Sequence, residues 1–229
     1  IVFEAMAKKL FKQHPYGQQS TLGEVEHLKN PSLKAVKNYY DTYYVPNNMA
    51  IIISGDIDKE ATIKLIDEHF STWQSKPLPE PKVYEEAPMT EREQVIVEYD
   101  AEPYLLMGYR TPGRNHRDAD VMLVVDMVLA NSTAGLIDLN LVQSQTLRTA
   151  GASAYQMNDY GWQMFWATPK EGQALEEAEQ LLRDQIEKVK TGDFDESLLK
   201  GIIANLKKGR KQGLESDTGR VAMLRNSFL

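Results

Sequence analysis

The spacing of apolar side chains predicts a series of helices and one strand in the first third of the chain. Residues 1–12 place apolar side chains at helical intervals, and the sequence HPYG at 14–17 then supplies a proline and a glycine that end a helix. A second helix is predicted over 33–44, where Leu, Val and Tyr side chains share one face. The isoleucine-rich run 49–54 predicts a strand, and residues 59–70 predict a third helix.

The pattern beyond residue 92 predicts a second set of strands and helices. Val95, Val97 and Tyr99 occupy alternate positions and an apolar run follows at 104–110, which predicts two strands. Small and aromatic residues on both sides of Asn158-Asp159 predict a hairpin formed by 150–157 and 161–168. Further helices are predicted at 119–129, near 136–147, at 173–190 and at 195–212.

These elements predict an α+β fold made of two related units in tandem. Residues 1–76 are predicted to be the C-terminal part of a first domain, 77–92 a proline-rich connector, and 93–229 a second domain that is truncated at its C-terminus. Each unit is expected to hold an antiparallel sheet with helices packed on one face. The strand-turn-helix at 49–70 resembles the one at 162–190, although such a unit is common enough to recur by chance.

Both ends of the chain read as internal. The first residues, IVFEAMAKKLF, start within an amphipathic helix that has no capping residue, and the last, VAMLRNSFL, stop in the middle of a pattern. We therefore expect the chain to be a piece of a longer protein.

Composition excludes several classes of function. The net charge of −7 comes from 33 acidic and 26 basic residues spread along 229 residues, so no basic stripe suits a nucleic-acid partner. No apolar run approaches the roughly 20 residues of a membrane span, and no signal core is present. The absence of cysteine excludes disulfides, thiolate zinc sites and cysteine nucleophiles, and leaves the compartment unconstrained.

The histidines do not form a zinc protease motif. Such a motif needs two histidines one helical turn apart with a glutamate beside them. The two nearest sequences end in Glu-His at His27 and His69, but Gly23 and Leu65 stand where the first histidine belongs. We therefore predict that this chain binds no zinc. His14 and His116 lie on predicted turns without a second ligand.

Other catalytic signatures are missing as well. No glycine-rich phosphate loop precedes a helix, and no Gly-x-Ser-x-Gly elbow is present. The acidic pairs Glu85-Glu86 and Glu176-Glu177 are interpreted as solvated surface residues, as are the basic residues between 207 and 211.

Three short motifs nevertheless occur in a fixed order along the first part of the chain: HPYG at 14–17, YYVPNN at 43–48 and AIIISGDID at 50–58. In this order and spacing they resemble the pitrilysin/insulinase family of zinc metallopeptidases, the inverted zincins that include mitochondrial-processing-peptidase-like proteins. The second unit is similar to the next domain of that family, with GYRTP at 108–112 and an Asp120-bearing helix. The resemblance covers nearly the whole chain. One departure is the stretch 130–135, which has a single glycine where the family tends to have several.

The resemblance implies a fold of the LuxS/processing-peptidase type, in which the zinc motif and the third ligand precede HPYG. Zinc is therefore expected in the full-length parent and not in this chain, which would supply the end of one catalytic-type domain and most of the next. The expected partners are a peptide substrate and either the remaining domains or a second homologous half. No nucleic acid or membrane span is expected.

The function expected from the resemblance is that of a fragment of a zinc-dependent endopeptidase, inactive alone, whose parent degrades or processes peptides in a clamshell chamber. The alternative is a non-catalytic half or core subunit of the same fold that acts as a structural or peptide-binding partner. An unrelated α+β binding module is a third possibility if the motif order arose by chance. The candidate residues for the substrate chamber are His14 and Tyr16; a purely packing role for Tyr16 stays open.

Overall fold

A computed structural model describes residues 1–20 and 22–228 of the chain. These residues form two compact units, the first made of 1–20 and 84–205 and the second of 22–83 and 206–228. The units do not coincide with the predicted division at 77–92, because the N-terminal residues group with the later part of the chain. The tandem-domain boundaries stay a prediction.

The first unit is built around a three-stranded antiparallel sheet. Its strands are β1 (Leu105–Pro112), β2 (Thr149–Gln156) and β3 (Tyr160–Thr168), in the order β1-β3-β2. β2 and β3 are consecutive and pair from Gln156 opposite Gly161 to Thr149 opposite Thr168. This confirms the predicted hairpin around Asn158-Asp159, and β1 confirms the strand predicted from 104–110.

Helices cover both faces of this sheet. On one face, α6 (Ala119–Leu129) and α7 (Leu175–Thr191) pack against Phe165 and Ala167 of β3. On the opposite face, α1 (Val2–Leu10) packs against Trp162. Alternate residues of a strand point to opposite sides, so the odd-numbered and even-numbered positions of β3 serve two different cores. The helices predicted for one face are present, and α1 adds a second layer.

The remaining elements are short helices around these layers and in the second unit. Their bounds are α2 (Pro15–Gln18), α3 (Val25–Lys29), α4 (Leu33–Tyr43), a 3-10 turn (Pro46–Asn48), α5 (Lys59–Phe70), a π-helical turn (Asp138–Gln143), α8 (Glu196–Glu215) and α9 (Asp217–Phe228). Ser32 and Asp58 cap α4 and α5 by accepting backbone N–H groups, as short polar side chains do at helix starts. The long helix predicted near 136–147 is reduced to the single π-helical turn.

Two predicted strands are not formed. Residues 49–54 and 95–99 pair with no other strand in the described parts of the chain. A strand needs a neighbour to satisfy its backbone N–H and C=O groups, and local sequence can indicate the pattern without supplying that neighbour. In the second unit, side chains of the predicted strand such as Ile51 are exposed.

Polar contacts organise the second unit. The Asn47 side chain donates to the Lys76 carbonyl and accepts from its N–H. Ser54 donates to Asp217 at 2.8 Å and accepts from Arg220 at 2.8 Å.

Among the described residues no helix is both long and apolar enough to cross a bilayer.

Candidate functional site

The HPYG sequence forms a tight helical turn that His14 caps. Pro15 begins α2, where its missing N–H costs nothing, and the His14 Nδ1 accepts the backbone N–H of Tyr16 at 3.2 Å. Because Nδ1 is an acceptor, the neutral ring carries its proton on Nε2. That nitrogen lies 3.1 Å from Oδ2 of Asp159, at the tip of the β2–β3 hairpin. Both ring nitrogens of this 3% exposed histidine therefore have partners within the chain.

Gly17 is required by space. A Cβ at this position would lie 2.1 Å from the Phe11 carbonyl oxygen and 2.6 Å from that of Ala7. The turn therefore folds back directly onto the end of α1, and only a residue without a side chain permits this approach.

Glu86 holds the chain that leads into this turn. Its Oε1 accepts the backbone N–H groups of Gln13 and His14, both at 2.7 Å, and its side chain is only 3% exposed. Arg110 on β1 approaches the other carboxylate oxygen at 3.4 Å and donates to the Leu10 carbonyl at 2.9 Å. One carboxylate and one guanidinium thus fix the path from α1 into α2.

The charge of Glu86 is stabilised in the folded chain. Burial raises the pKa of the Glu86 carboxyl, but hydrogen bonds from the N–H groups of His14, Gln13 and Lys12, with the nearby Arg110 charge, outweigh it. The net result is a pKa below the ordinary value. Glu86 is therefore an anion that the surrounding donors hold in place.

Tyr160 joins the same cluster from β3. Its hydroxyl accepts the Glu86 N–H at 3.0 Å and donates to the Tyr84 carbonyl at 3.2 Å. Its ring lies 5.4 Å from the His14 ring at 87°, and the Arg110 guanidinium carbon is 5.6 Å from its centre. We call His14, Glu86, Arg110, Asp159 and Tyr160 the His14 cluster.

Tyr16 packs beside this cluster through its ring. The ring centre lies 3.9 Å from that of His14 and 5.7 Å from that of Phe11. Its hydroxyl makes no hydrogen bond to a described residue, whereas Phe11 is fully buried between Tyr16, Tyr160 and Trp162. Tyr16 therefore contributes apolar surface to the turn.

The structure brings His14 and Tyr16 together and adds four partners that the sequence did not indicate: Glu86, Arg110, Asp159 and Tyr160. The interpretation of Glu86 as a solvated residue is wrong, because its carboxylate is buried against N–H groups 72 and 73 positions earlier in the chain. Contacts over such separations leave no local signal in the sequence.

A cavity opens on the exposed side of the His14 cluster. It has a volume of about 540 Å³ and is lined by the end of β1 and the hairpin tip, including Arg110, His116, Asn158 and Asp159. The Asp159 side chain is 64% exposed and His14 is buried behind it. Arg110, Asp159 and Tyr160 of the cluster line this cavity, and the Asp159 carboxylate is more exposed than Arg110, whose side chain is 13% exposed.

The donor groups do not fit a zinc ion. Within residues 1–20 and 22–228, no three His, Asp or Glu side chains are grouped so that they could hold a metal. His27 accepts the Glu24 N–H within α3, and His116 accepts the Asp118 N–H at 3.2 Å. These histidines serve local turns, and no zinc-dependent step can be derived from the residues described.

The amino-acid sequence of this chain is similar to a known peptidase domain and to two zinc proteases. Residues 31–206 match the peptidase M16 inactive domain. The chain is 23% identical over 210 residues to the zinc protease PqqE of Helicobacter pylori, covering 90% of this chain and 47% of that protein. A 56-residue stretch is 36% identical to the probable zinc protease PqqL of Haemophilus influenzae, covering 24% of this chain and 6% of that protein.

Solved structures share the fold. A protease from Helicobacter pylori has a TM-score of 0.82 at 21% identity, covering 98% of this chain and 55% of the other. A putative M16-like peptidase from Alicyclobacillus acidocaldarius has a TM-score of 0.71 at 15% identity, covering 97% and 54%. The chain therefore spans about half the length of these two solved chains and of PqqE. The predicted α+β class is confirmed, and the match over more than half of its residues shows that this chain belongs to the peptidase M16 family, as its resemblance to pitrilysin/insulinase metallopeptidases indicated.

Proposed function

We propose that this chain is the non-catalytic part of a zinc-dependent endopeptidase and lines the chamber in which the parent protein holds a peptide. The observation that carries the proposal is the match of residues 31–206 to a peptidase domain described as inactive. PqqE, which is about twice as long as the part matched here, is named a zinc protease. The zinc ligands of the parent would then lie outside this chain.

The contacts of the histidines support the proposal that the zinc ligands lie outside this chain. His14 has both ring nitrogens occupied, one by the Tyr16 N–H and the other by Asp159. His27, which ends one of the two incomplete zinc motifs, caps its own helix. A histidine that binds zinc must leave one ring nitrogen free for the ion. This requirement favours a structural use of His14, and His27 belongs to no group of three possible metal ligands among the described residues.

The His14 cluster has a structural role in this proposal. It fastens α1 and α2 to the β2–β3 hairpin and to β1 through partly buried hydrogen bonds, and so shapes the wall beside the 540 Å³ cavity. Direct contact of His14 or Tyr16 with a peptide stays a prediction. Asp159, which faces the cavity, is the cluster member best placed for such a contact.

A non-catalytic half or core subunit is the second candidate function. The observation that favours it is again the description of the matched domain as inactive. In that case the partner would be a second homologous half that carries the zinc site, and the peptide would be held between the two.

The test is made on the full-length protein purified with its native partners. We expect one equivalent of zinc, cleavage of a quenched fluorescent peptide that a chelator abolishes, and labelling of this part of the chain by a peptide carrying a photo-crosslinker. Absence of zinc and of cleavage, with crosslinking retained, would favour the core-subunit role. Cleavage without any crosslink to residues 1–229 would refute the chamber role.

A further inference from the structure

The outer edge of β1 is unpaired. In the sheet order β1-β3-β2, β1 pairs with β3 on one side, and no strand pairs with its other side in the described residues. A cavity of about 990 Å³ runs along this free edge, between α1, α7 and residues 94–99. A bare strand edge offers a row of backbone donors and acceptors to any extended segment that reaches it.

Residues 94–99 have the pattern of a strand, although they are not paired. Val95, Val97 and Tyr99 alternate with Gln94, Ile96 and Glu98, and Ile96 is 77% exposed. Such alternation suits a segment at a sheet edge between two differently covered faces.

Two consecutive residues before this segment already point to opposite faces of the sheet. Arg92 pairs at 2.6 Å with Glu179 of α7, which covers one face. Glu93 pairs with Lys9 at 3.1 Å, and also with Lys12, at the α1 side of the sheet. Opposite directions at successive positions are the property of a β-strand. These ion pairs hold the start of the segment at the β1 edge.

The end of the segment is tied to the start of β1. The Ala101 N–H donates to the Tyr99 carbonyl at 2.8 Å, which turns the chain directly after Tyr99. A four-residue loop, 100–103, then leads to Tyr104, the residue before β1, and such a loop sets Tyr99 opposite Tyr104. A loop of this length closes hairpins.

Continuing that register along an antiparallel pair sets Val97 opposite Leu106, Ile96 opposite Met107 and Val95 opposite Gly108. Leu106 packs in the α1 core, and a Cβ on Gly108 would meet Met6 and Leu10 of α1, whereas Met107 packs in the α7 core.

Residues opposite each other share a face, so this register sends odd-numbered residues of the segment toward α1 and even-numbered ones toward α7. The ion pairs of Glu93 and Arg92 require the same assignment. A register shifted by one residue would contradict them.

We propose that residues 94–99 form a strap that closes on the β1 edge as a fourth antiparallel strand, in the register that sets Val97 opposite Leu106. Closure turns Val95 and Val97 toward α1, satisfies the backbone groups of both segments, and fills the groove with the chain itself. The closed strap therefore withholds the β1 edge from peptides and from other chains.

Paired cysteines test the register in the full-length protein, with any cysteine outside residues 1–229 replaced. The chain itself has no cysteine, so the crosslink has no competitor within it. Val97→Cys with Leu106→Cys joins two opposed residues, and Val97→Cys with Met107→Cys is the control one position out of register. We expect the first pair to form its disulfide roughly tenfold faster than the control, because opposed strand residues have the required Cβ separation. Equal rates would overturn the proposal.

Hydrogen exchange on the unmodified protein provides an independent measurement, because the cysteine variants could perturb packing. A closed strap predicts protection of amides in 94–98 comparable with that of β1. Exchange of 94–98 as fast as that of an unstructured peptide would sink the proposal. So would protection that arises only when a strand-forming peptide is added, since the edge would then be open to partners instead of covered by the strap.

Discussion

Glu86 is a carboxylate that the fold uses in its charged form. Its folded pKa lies below its ordinary value, so the stability it contributes is present above the unfolded pKa and is lost as pH falls through the folded pKa. Glu86→Gln keeps the shape and removes the charge facing Arg110. We expect a loss of about 1–3 kcal/mol in the free energy of unfolding at neutral pH.

The difference between wild type and Glu86→Gln should shrink as the pH falls through the lowered pKa of Glu86, because the wild-type carboxyl then also becomes neutral. Urea unfolding across this pH range measures both effects. Glu85→Gln is the matched control, because the neighbouring Glu85 is exposed and should change stability little at any pH. A pH-independent loss in Glu86→Gln would contradict the charge-based account.

Tyr16 tests whether the HPYG turn packs or contacts substrate. Its ring rests on His14 and Phe11 and its hydroxyl has no hydrogen-bond partner among the described residues, so Tyr16→Phe removes nothing the fold uses. In the full-length protein we expect peptide cleavage within about twofold of wild type and a nearly unchanged melting temperature. A large fall in cleavage at unchanged stability would indicate a functional hydroxyl. A fall in both would mean that the hydroxyl holds the turn.

Asp126 on α6 has a raised pKa, whereas that of Glu86 is lowered. Burial raises the pKa of its carboxyl, although hydrogen bonds from Gln163 and the Ala154 N–H favour the charged form. Gln163 donates to Asp126 at 2.6 Å and leaves its own buried Oε1 without a partner in the described structure. An uncharged side chain with an N–H donor would suit this position better than a carboxylate.

We therefore expect Asp126→Asn to raise the free energy of unfolding by about 1 kcal/mol at neutral pH. Because the folded pKa is raised, the carboxylate penalty is absent below the unfolded pKa and grows as pH rises through the folded pKa, so the gain should fade toward low pH. Thermal unfolding at several pH values measures this. Asp126→Ala, which cannot donate to Gln163, should lack the gain. A less stable Asp126→Asn at every pH would show that the carboxylate is needed.

At the scale of elements, α7 is held to the sheet by one side of the helix. Leu182 is fully buried with Phe165 and Leu129, whereas Leu175 in the first turn is 36% exposed. Leu182→Ala should cost about 3 kcal/mol through lost burial and a cavity. Leu175→Ala, the same change on the same helix, should cost under about 1 kcal/mol. Chemical denaturation of the two variants gives the comparison, and equal losses would place the core elsewhere.

Elements whose signal is local could be predicted from the sequence. The helix predicted over 119–129 is α6, and those predicted over 59–70 and 33–44 are α5 and α4, because the apolar periodicity of each helix lies within its own segment. The strands predicted at 49–54 and 95–99 show what a local signal cannot predict. Their pattern is local, but a strand forms only where a neighbouring strand satisfies its backbone N–H and C=O groups.

The His14 cluster illustrates what the sequence could not provide. The HPYG motif singled out His14 and Tyr16, yet the partners that fix His14 come from residues 86 and 159. A Glu-Glu pair in a proline-rich segment has the composition of a solvated connector, and only the folded path of the chain shows that Glu86 is enclosed by N–H donors. Burial of a charged residue is set by tertiary contacts, which local patterns do not contain.

At the scale of the whole molecule, the M16 family membership and the placement of the histidines lead to a prediction about metal. The proposed function assigns zinc to the rest of the parent protein, and the four histidines of this chain are separated in the sequence. His14 is internally engaged, and His27 and His116 support turns. His69 stands on α5 without a second histidine one turn away, as Leu65 occupies that position.

The purified 229-residue chain, washed with a chelator and then exposed to one equivalent of zinc, should therefore retain far less than one equivalent after dialysis, while the full-length protein should retain one. Metal analysis gives the count, and circular dichroism verifies that the chain is folded. Tetrahedral zinc sites need four ligands, of which a lone imidazole provides one, so tight retention by the chain would require a ligand set absent from the described residues. If one equivalent were retained, His27→Ala and His69→Ala would identify which of these two histidines binds the zinc. The assignment of the zinc ligands to the rest of the parent would then have to be abandoned.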